Sequence, residues 1–208
     1  EGPLLILAGA GSGKTRVIAH RIAYLVEVLG IPFETILAVT FTNKAAGEMK
    51  ERIISLLSQK RVGGNVATFH SICLKILRQH SHLIGLKNDF VIYDTQDQSA
   101  LMKSCISDLA IDDAVYPPKR FLGLISQFKN QLISPDQYAE GHAASALQEK
   151  LKQVYPLYQE RMRAFGAVDF DDLIGLTIQL FKTQPDFLAR FRERFQYLMI
   201  DEYQDTNY

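Results

Sequence analysis

Residues 4–15 read LLILAGAGSGKT, and no other stretch restricts the fold as strongly. Leu4 to Ala8 is uniformly apolar, the pattern of a strand buried on both faces of a parallel sheet rather than of a half-exposed hairpin. Gly9, Gly11 and Gly13 follow. From Lys14 onward Ile18, Ile22, Leu25 and Leu29 recur on one helical face, with Gly30 and Pro32 as the stop. Strand, glycine-rich loop and helix in this order make a phosphate cradle. The glycines remove side chains that would block backbone N–H groups pointing at an anion, and the helix N-terminus adds its dipole. In that arrangement Ala10, Gly11, Ser12 and Gly13 line the cradle, Lys14 places a positive charge on the β- and γ-phosphates, and Thr15 offers a hydroxyl to Mg²⁺. The strict pattern G-x-x-x-x-G-K-[ST] has glycine where this chain has Ala8, a departure that a negative φ accommodates.

The strand–helix alternation continues with a strand at about 36–41. The helix after it is capped by Thr42 or Asn43, with Ala46, Met49, Ile53 and Leu57 facing inward and Glu48 and Arg52 spaced for an i,i+4 pair. After the Gly63-Gly64 turn, NVATF reads as a short strand leading into a helix with Ile72, Ile76 and Leu77. From Asp94 the pattern becomes helical throughout, punctuated by Pro117-Pro118, Ser134-Pro135 and Gly141. Its apolar stripes are Leu101, Cys105 and Leu109, then Phe121, Ile125, Phe128 and Leu132, then Leu147, Leu151, Val154 and Tyr158. Pro156 should kink or split the last of these helices. The α/β pattern returns at FQYLMIDE. The expected organisation is therefore residues 1–90 as the first part of a sheet core, 91–167 as an inserted all-helical subdomain, and 168–208 as the second part of the core.

Composition narrows the partners. With 47% hydrophobic residues over 208 positions the chain can bury a large core, and its 23 Lys and Arg balance 23 Asp and Glu. No global field advertises nucleic acid or membrane, which leaves a local groove as the place for either. Cys73 and Cys105 lie in apolar segments without metal-like spacing, which suits buried thiols in a reducing, cytoplasmic setting. No apolar run approaches the ~20 residues of a membrane helix.

A nucleotide site in a parallel sheet lies beyond the carboxyl ends of the strands, and Asp201 stands there, directly after Leu198-Met199-Ile200. It is the expected second holder of Mg²⁺, as a Walker B acid. Glu202 follows at once, placed to take a proton from an attacking water, which favours hydrolysis of ATP. Lys14 and Asp201 lie 187 positions apart, more than a compact mononucleotide kinase uses, so a large insertion is expected.

With these elements in order, the chain resembles the Rep/UvrD/PcrA family of superfamily 1 DNA helicases. AGAGSGKT looks like motif I, AVTFTNKAAGEM like motif Ia, ATFHS like motif Ib and IDEYQDTN like motif II, while VDFDDLI resembles a segment the family carries shortly before motif II. The resemblance implies a P-loop NTPase with a RecA-like parallel sheet core, an inserted all-helical subdomain, and truncation after the Walker B strand. It implies ATP and Mg²⁺ as cofactors, 3′→5′ movement along single-stranded DNA, and binding at single/double-strand junctions. Phe41, Thr42 and Asn43, and again Thr68, Phe69 and His70, occupy strand-to-helix junctions and become candidates to stack bases and hold phosphates. From the residues alone the two phenylalanines would more often be core, and His70 a satisfied packing histidine.

Other charged residues read as structural. Asp169, Asp171 and Asp172 fit a helix N-terminus better than a metal site. Lys119, Arg120, Lys129, Arg161 and Arg163 read mainly as a solvated face, with duplex DNA as the other use. Gln204 and Asp205 belong to the motif, and the resemblance implies that they link the nucleotide site to neighbouring motifs by hydrogen bonds, with no chemical step assigned to either. The family's glutamine motif would precede Glu1. Motif III and the second RecA-like domain, with its arginine fingers, would follow Tyr208, so this chain by itself is not expected to unwind DNA. The strand that normally lies between the Walker A and Walker B strands would be missing too, which predicts a gap, a rearranged sheet or an open edge.

Overall fold

The computed structural model describes residues 2–9, 11–57, 65–141, 143 and 145–206; Ala10 and the Gly63-Gly64 turn lie outside them. In chain order the elements are α1 (Lys14–Glu27), β1 (Ile36–Thr40), α2 (Asn43–Leu56), β2 (Val66–Thr68), α3 (Phe69–His80), β3 (Val91–Ile92), α4 (Thr95–Asp108), α5 (Pro118–Asn130), α6 (Pro135–Glu140), α7 (Ala146–Ala164), β4 (Ala167–Val168), α8 (Phe170–Thr183), α9 (Pro185–Arg194) and β5 (Tyr197–Ile200). They divide into two compact units, one of residues up to Ile72 with Gln184–Thr206, the other Cys73–Thr183. Among the described residues no helix is long and apolar enough to cross a membrane.

The first unit holds a parallel sheet in the order β2-β1-β5, with Ala38 opposite Val66 and Met199, and Val39 opposite Ala67 and Ile200. β1 is central, so all five of its residues are buried, and its unbroken apolar run up to Thr40 is what such a strand requires. α1 and α2 bury Ala19, Ile22, Leu25, Met49 and Ile53 against Ile36, Ala38 and Val66. Each large aliphatic there contributes about 1.5–3 kcal/mol by leaving water. Thr42 caps α2 by accepting from the Ala45 N–H at 3.1 Å. Glu48 turns back to Lys44 at 4.0 Å rather than forward to Arg52, both routes being i,i+4 on an exposed face.

The predicted strand at Leu4–Ala8 is absent. These residues carry no regular structure, and Leu4, Leu5, Ile6 and Leu7 are exposed. The physical reason is pairing. Both edges of β1 are taken, and an apolar segment becomes a parallel strand only where a neighbour meets its N–H and C=O groups. Among the described residues nothing pairs with the outer edge of β5, where Leu198 stands 57% exposed. Leu29, assigned to the α1 stripe, also lies exposed, past the helix end and before Gly30 turns the chain at a φ of 67°.

The second unit packs α4, α5 and α7 around Met102, Cys105, Phe121, Ile125, Leu151, Val154 and Tyr158. α7 runs unbroken through Pro156, contrary to a split. The proline costs about 3 kcal/mol in a helix interior, and burial of Leu151, Val154, Tyr155, Tyr158 and Met162 on either side outweighs it. Leu132 leaves its predicted stripe. α5 ends at Asn130, Leu132 takes a φ of 58°, and the Leu132 and Ile133 N–H groups close the helix end on the Lys129 and Phe128 carbonyls, each at 2.9 Å. Two strands that periodicity does not reveal, β3 and β4, pair in parallel, Val91 with Ala167 and Ile92 with Val168. They join the two ends of the helical run, over a small core of Leu77, Phe90, Val168 and Leu173.

Candidate nucleotide site and strand-to-helix junctions

The cradle is assembled by conformation first. Gly11 and Gly13 adopt φ values of 73° and 93°, which L side chains rarely adopt, and Gly13 is the N-cap of α1. A Cβ at Gly9 or Gly11 would meet nothing within 4 Å. Ser12 closes the turn, its hydroxyl donating to the Gly9 carbonyl at 2.7 Å. Ala8 keeps a negative φ, so the departure from glycine at that position carries no strain.

Asp201 enters from the far end of the chain. Its N–H donates to the Val39 carbonyl at 2.9 Å, which continues the β1–β5 ladder and fixes the carboxylate at the carboxyl end of β5. There it is buried and accepts from the Thr15 hydroxyl at 2.9 Å. Lys14 Nζ lies 3.7 Å from Glu202 Oε1, with both side chains partly open to solvent. Glu202 takes a left-handed backbone at φ 54° and ψ 48°, and the Gln204 side-chain amide donates to Glu202 Oε2. Lys14, Thr15, Asp201 and Glu202 therefore come together in two contacting pairs. The oxygens of Thr15 and Asp201 are the hard donors that suit Mg²⁺. Hydrogen bonding by Gln204 is legible in the motif, but its acceptor, Glu202, depends on the turn at Tyr203–Asp205.

The two junction triplets end neighbouring strands. Thr40 lies opposite Thr68 in the parallel register, so the residues that follow them emerge side by side. The Phe41 and Phe69 rings meet with centroids 5.3 Å apart, tilted by 57°. Phe41, Thr42 and Asn43 are exposed, Phe69 and His70 are half-buried, and Thr68 is buried. The Thr68 hydroxyl accepts from the Ser71 N–H at 3.2 Å and meets the Ser71 hydroxyl at 2.8 Å, so it braces the junction from within.

Lys129 is a correction to the solvated basic face. It is buried, 2.7 Å from Asp169 Oδ2 and 2.8 Å from Asp172 Oδ1, where water was expected around it. Burial alone would lower its pKa, but the carboxylates of Asp172 and Asp169 hold it above the ordinary lysine value. Asp169 and Asp172 also cap α8 reciprocally through each other's N–H groups, at 2.9 and 3.0 Å, as their spacing suggested. Arg161 stays partly open to solvent, where it pairs with Asp108 and donates to the Ser104 hydroxyl at 2.8 Å. Cys105 is buried and Cys73 half-buried; both are free thiols, and burial pushes their pKa values up. Among the described residues no group of three or more His, Cys, Asp or Glu side chains is arranged to hold a metal.

A mixed α/β fold with a parallel sheet, a glycine cradle at a helix N-terminus and an acid at the facing strand end define a P-loop protein. The sequence profile of the UvrD/REP helicase N-terminal domain matches residues 1–208. The chain belongs to that family. Among its relatives, a protein of Leuconostoc citreum named ATP-dependent DNA helicase PcrA is 52% identical over 208 residues, 100% of this chain and 28% of the relative. Proteins of the same name from Staphylococcus aureus strain Mu50 and from Staphylococcus epidermidis strain ATCC 35984 are each 45% identical over 207 residues, again 100% of this chain and 28% of theirs. The chain thus spans 28% of the length of these curated relatives.

Proposed function

We propose that this chain is the N-terminal ATP-binding portion of a 3′→5′ DNA helicase or translocase, which couples ATP hydrolysis to movement on single-stranded DNA. The observation that carries the reading is the convergence of Lys14 and Thr15 with Asp201 and Glu202 at the carboxyl ends of parallel strands. The N–H groups of Gly11, Ser12 and Gly13 cradle the phosphates, and Lys14 holds the β- and γ-phosphoryl oxygens. Thr15 and Asp201 would hold Mg²⁺, which when bound neutralises charge on the phosphates. Glu202 orients a water in line with the γ-phosphorus and accepts its proton.

The Phe41 and Phe69 rings, at the ends of neighbouring strands, offer π-faces to successive bases, and Thr42, Asn43 and His70 offer polar groups to the strand's phosphates. Such contacts bind without reading sequence, as translocation requires. We further propose that 1–90 and 168–208 form one RecA-like core, that 91–167 is its helical insertion, and that the open edge of β5 receives the strand that would separate it from Leu4–Ala8. A second RecA-like domain and single/double-strand junctions are the partners this implies, in a cytoplasmic setting.

The test uses the full-length parent protein. Wild type should show DNA-stimulated ATP hydrolysis and displace a strand in the 3′→5′ direction, and Glu202→Gln should retain ATP binding with hydrolysis reduced at least 100-fold. Undiminished hydrolysis in Glu202→Gln, or activity independent of DNA, contradicts the assignment.

A further inference from the structure

The compact unit Cys73–Thr183 reaches past β3 and β4 on both sides, taking in most of α3 and all of α8. Strand pairing by itself does not account for this. β3 and β4 have two residues each, and a two-stranded pair that short is not stable alone in water. Gly85 and Gly166, left-handed at φ 74° and 60°, precede the two strands and are where a hinge would bend. Side chains fasten both connections instead. Arg78, in the last turn of α3, donates through Nη1 to the Asn88 and Phe90 carbonyls at 2.7 and 2.6 Å, and its guanidinium carbon lies 3.8 Å from the Phe90 ring centroid. Bonds from a charged donor are roughly twice as strong as neutral ones. Phe90 is itself buried with Leu77, Val168 and Leu173, and the buried Ser81 hydroxyl donates to Asn88 Oδ1 at 3.0 Å. Beyond β4, Lys129 of α5 holds Asp169 and Asp172 at the start of α8, at 2.7 and 2.8 Å.

We propose that the β3–β4 pair is a fastened joint and not a hinge, with Arg78 as the catch on its entering strand. By holding the Phe90 peptide and ring against α3, Arg78 keeps Val91 and Tyr93 on β4, where their N–H groups donate to the Gly166 and Val168 carbonyls, each at 2.9 Å. The Lys129 ion cluster secures the other side. The end of α3, the two strands, the start of α8 and the helices α4, α5 and α7 therefore open and close as one cooperative body. Bending at Gly85 or Gly166 is suppressed, and the helical run follows any displacement of the end of α3 or of α8 without slack.

The test is native-state amide exchange on the 208-residue chain over a series of low urea concentrations. Wild type is compared with Arg78→Met, which keeps an apolar stem and removes the donors, and with Arg78→Lys, which keeps the charge without the planar fork. In wild type the Val91 and Tyr93 amides are expected to exchange with the same opening free energy and urea dependence as the most protected amides of α4 and α7. In Arg78→Met they should exchange at least about tenfold faster, through an opening with little urea dependence, while the α4 and α7 amides keep their rates. Arg78→Lys should fall between the two. A separate low-energy opening of β3 already present in wild type overturns the proposal, as do unchanged Val91 and Tyr93 rates in Arg78→Met. An equal acceleration of every amide in the unit also overturns it, because that marks a loss of overall stability alone. If Arg78→Met does not fold, the wild-type comparison and Arg78→Lys decide by the same measures.

Discussion

Thr15 and Asp201 stand 186 positions apart in the chain and 2.9 Å apart in space, hydroxyl to carboxylate. The helix after the cradle and the strand end of β5 are thereby joined, and on the proposed reading the pair would offer a phosphate-bound cation oxygen donors from both. If this is its purpose, Thr15→Val and Asp201→Asn should each remove most of the advantage that Mg²⁺ gives to ATP binding. A loss of roughly tenfold or more is expected in the ratio of affinities measured with and without the metal. Isothermal titration in magnesium and in chelator gives that ratio directly, and the metal-free affinity should change far less.

The Lys129 cluster should be the most sensitive point of the second unit. Its ammonium is the counter-ion of two buried carboxylates, and Asn130 beside it donates to Asp171 at 3.3 Å, so α5 and the start of α8 are joined through one lysine. Lys129→Met leaves Asp169 and Asp172 buried without it, which is expected to cost about 3–5 kcal/mol. Replacing all three, with Asp169→Asn and Asp172→Asn added, should recover part of that loss, because the charges needing compensation are gone. Urea denaturation of the variants measures both effects.

Alkali should destabilise the same unit, and the sign follows from where protons are held. In the unfolded chain tyrosine and lysine release protons near pH 10. In the folded chain burial, joined by the Asp169 and Asp172 carboxylates, raises the pKa values of Tyr158 and Tyr155, and those two carboxylates outweigh burial to raise that of Lys129. The folded state then binds more protons above pH 10, so stability is full below that pH and falls as pH rises through it. Tyr158→Phe should flatten this decline. At neutral pH it should be within about 1 kcal/mol of wild type or more stable, since the buried Tyr158 hydroxyl has no hydrogen-bond partner among the described residues. Denaturation midpoints from pH 7 to 11 check both statements.

Phe41→Ala separates stacking from packing. The ring is exposed and touches Phe69, so its removal should change folding stability by less than about 1 kcal/mol. Binding of single-stranded oligonucleotides, read by fluorescence anisotropy, should weaken by about 1–3 kcal/mol, independent of base sequence. A loss confined to one sequence, or none at all, contradicts the role given to this junction.

The parts of this molecule legible in its sequence are those set by local chemistry. Thr42 or Asn43 before an apolar helical stripe announces a cap for α2, which Thr42 supplies, the glycines announce the loop before α1, and an apolar run ending in Asp201 announces β5. What stayed hidden depends on partners far along the chain. Leu4–Ala8 has the composition of a buried strand, but composition does not supply the neighbouring strand that a ladder requires. β3 and β4 are two residues each, too short for an alternation to register, and exist because Val91–Ile92 and Ala167–Val168 meet. Lys129 looks like any surface lysine until Asp169 and Asp172, forty positions on, are seen to surround it. In the candidate site the left-handed backbone at Glu202 is not legible in the sequence, because it goes with the turn that follows.

On the proposed reading the Gly11–Thr15 cradle binds a nucleoside triphosphate. The most direct test is a calorimetric titration of Mg-ATP into the 208-residue chain, with Lys14→Ala beside it. Saturable binding near one equivalent, lost at least 100-fold in Lys14→Ala, is the expected result. Equal affinity in the two proteins, or no heat of binding with wild type, would contradict the claim.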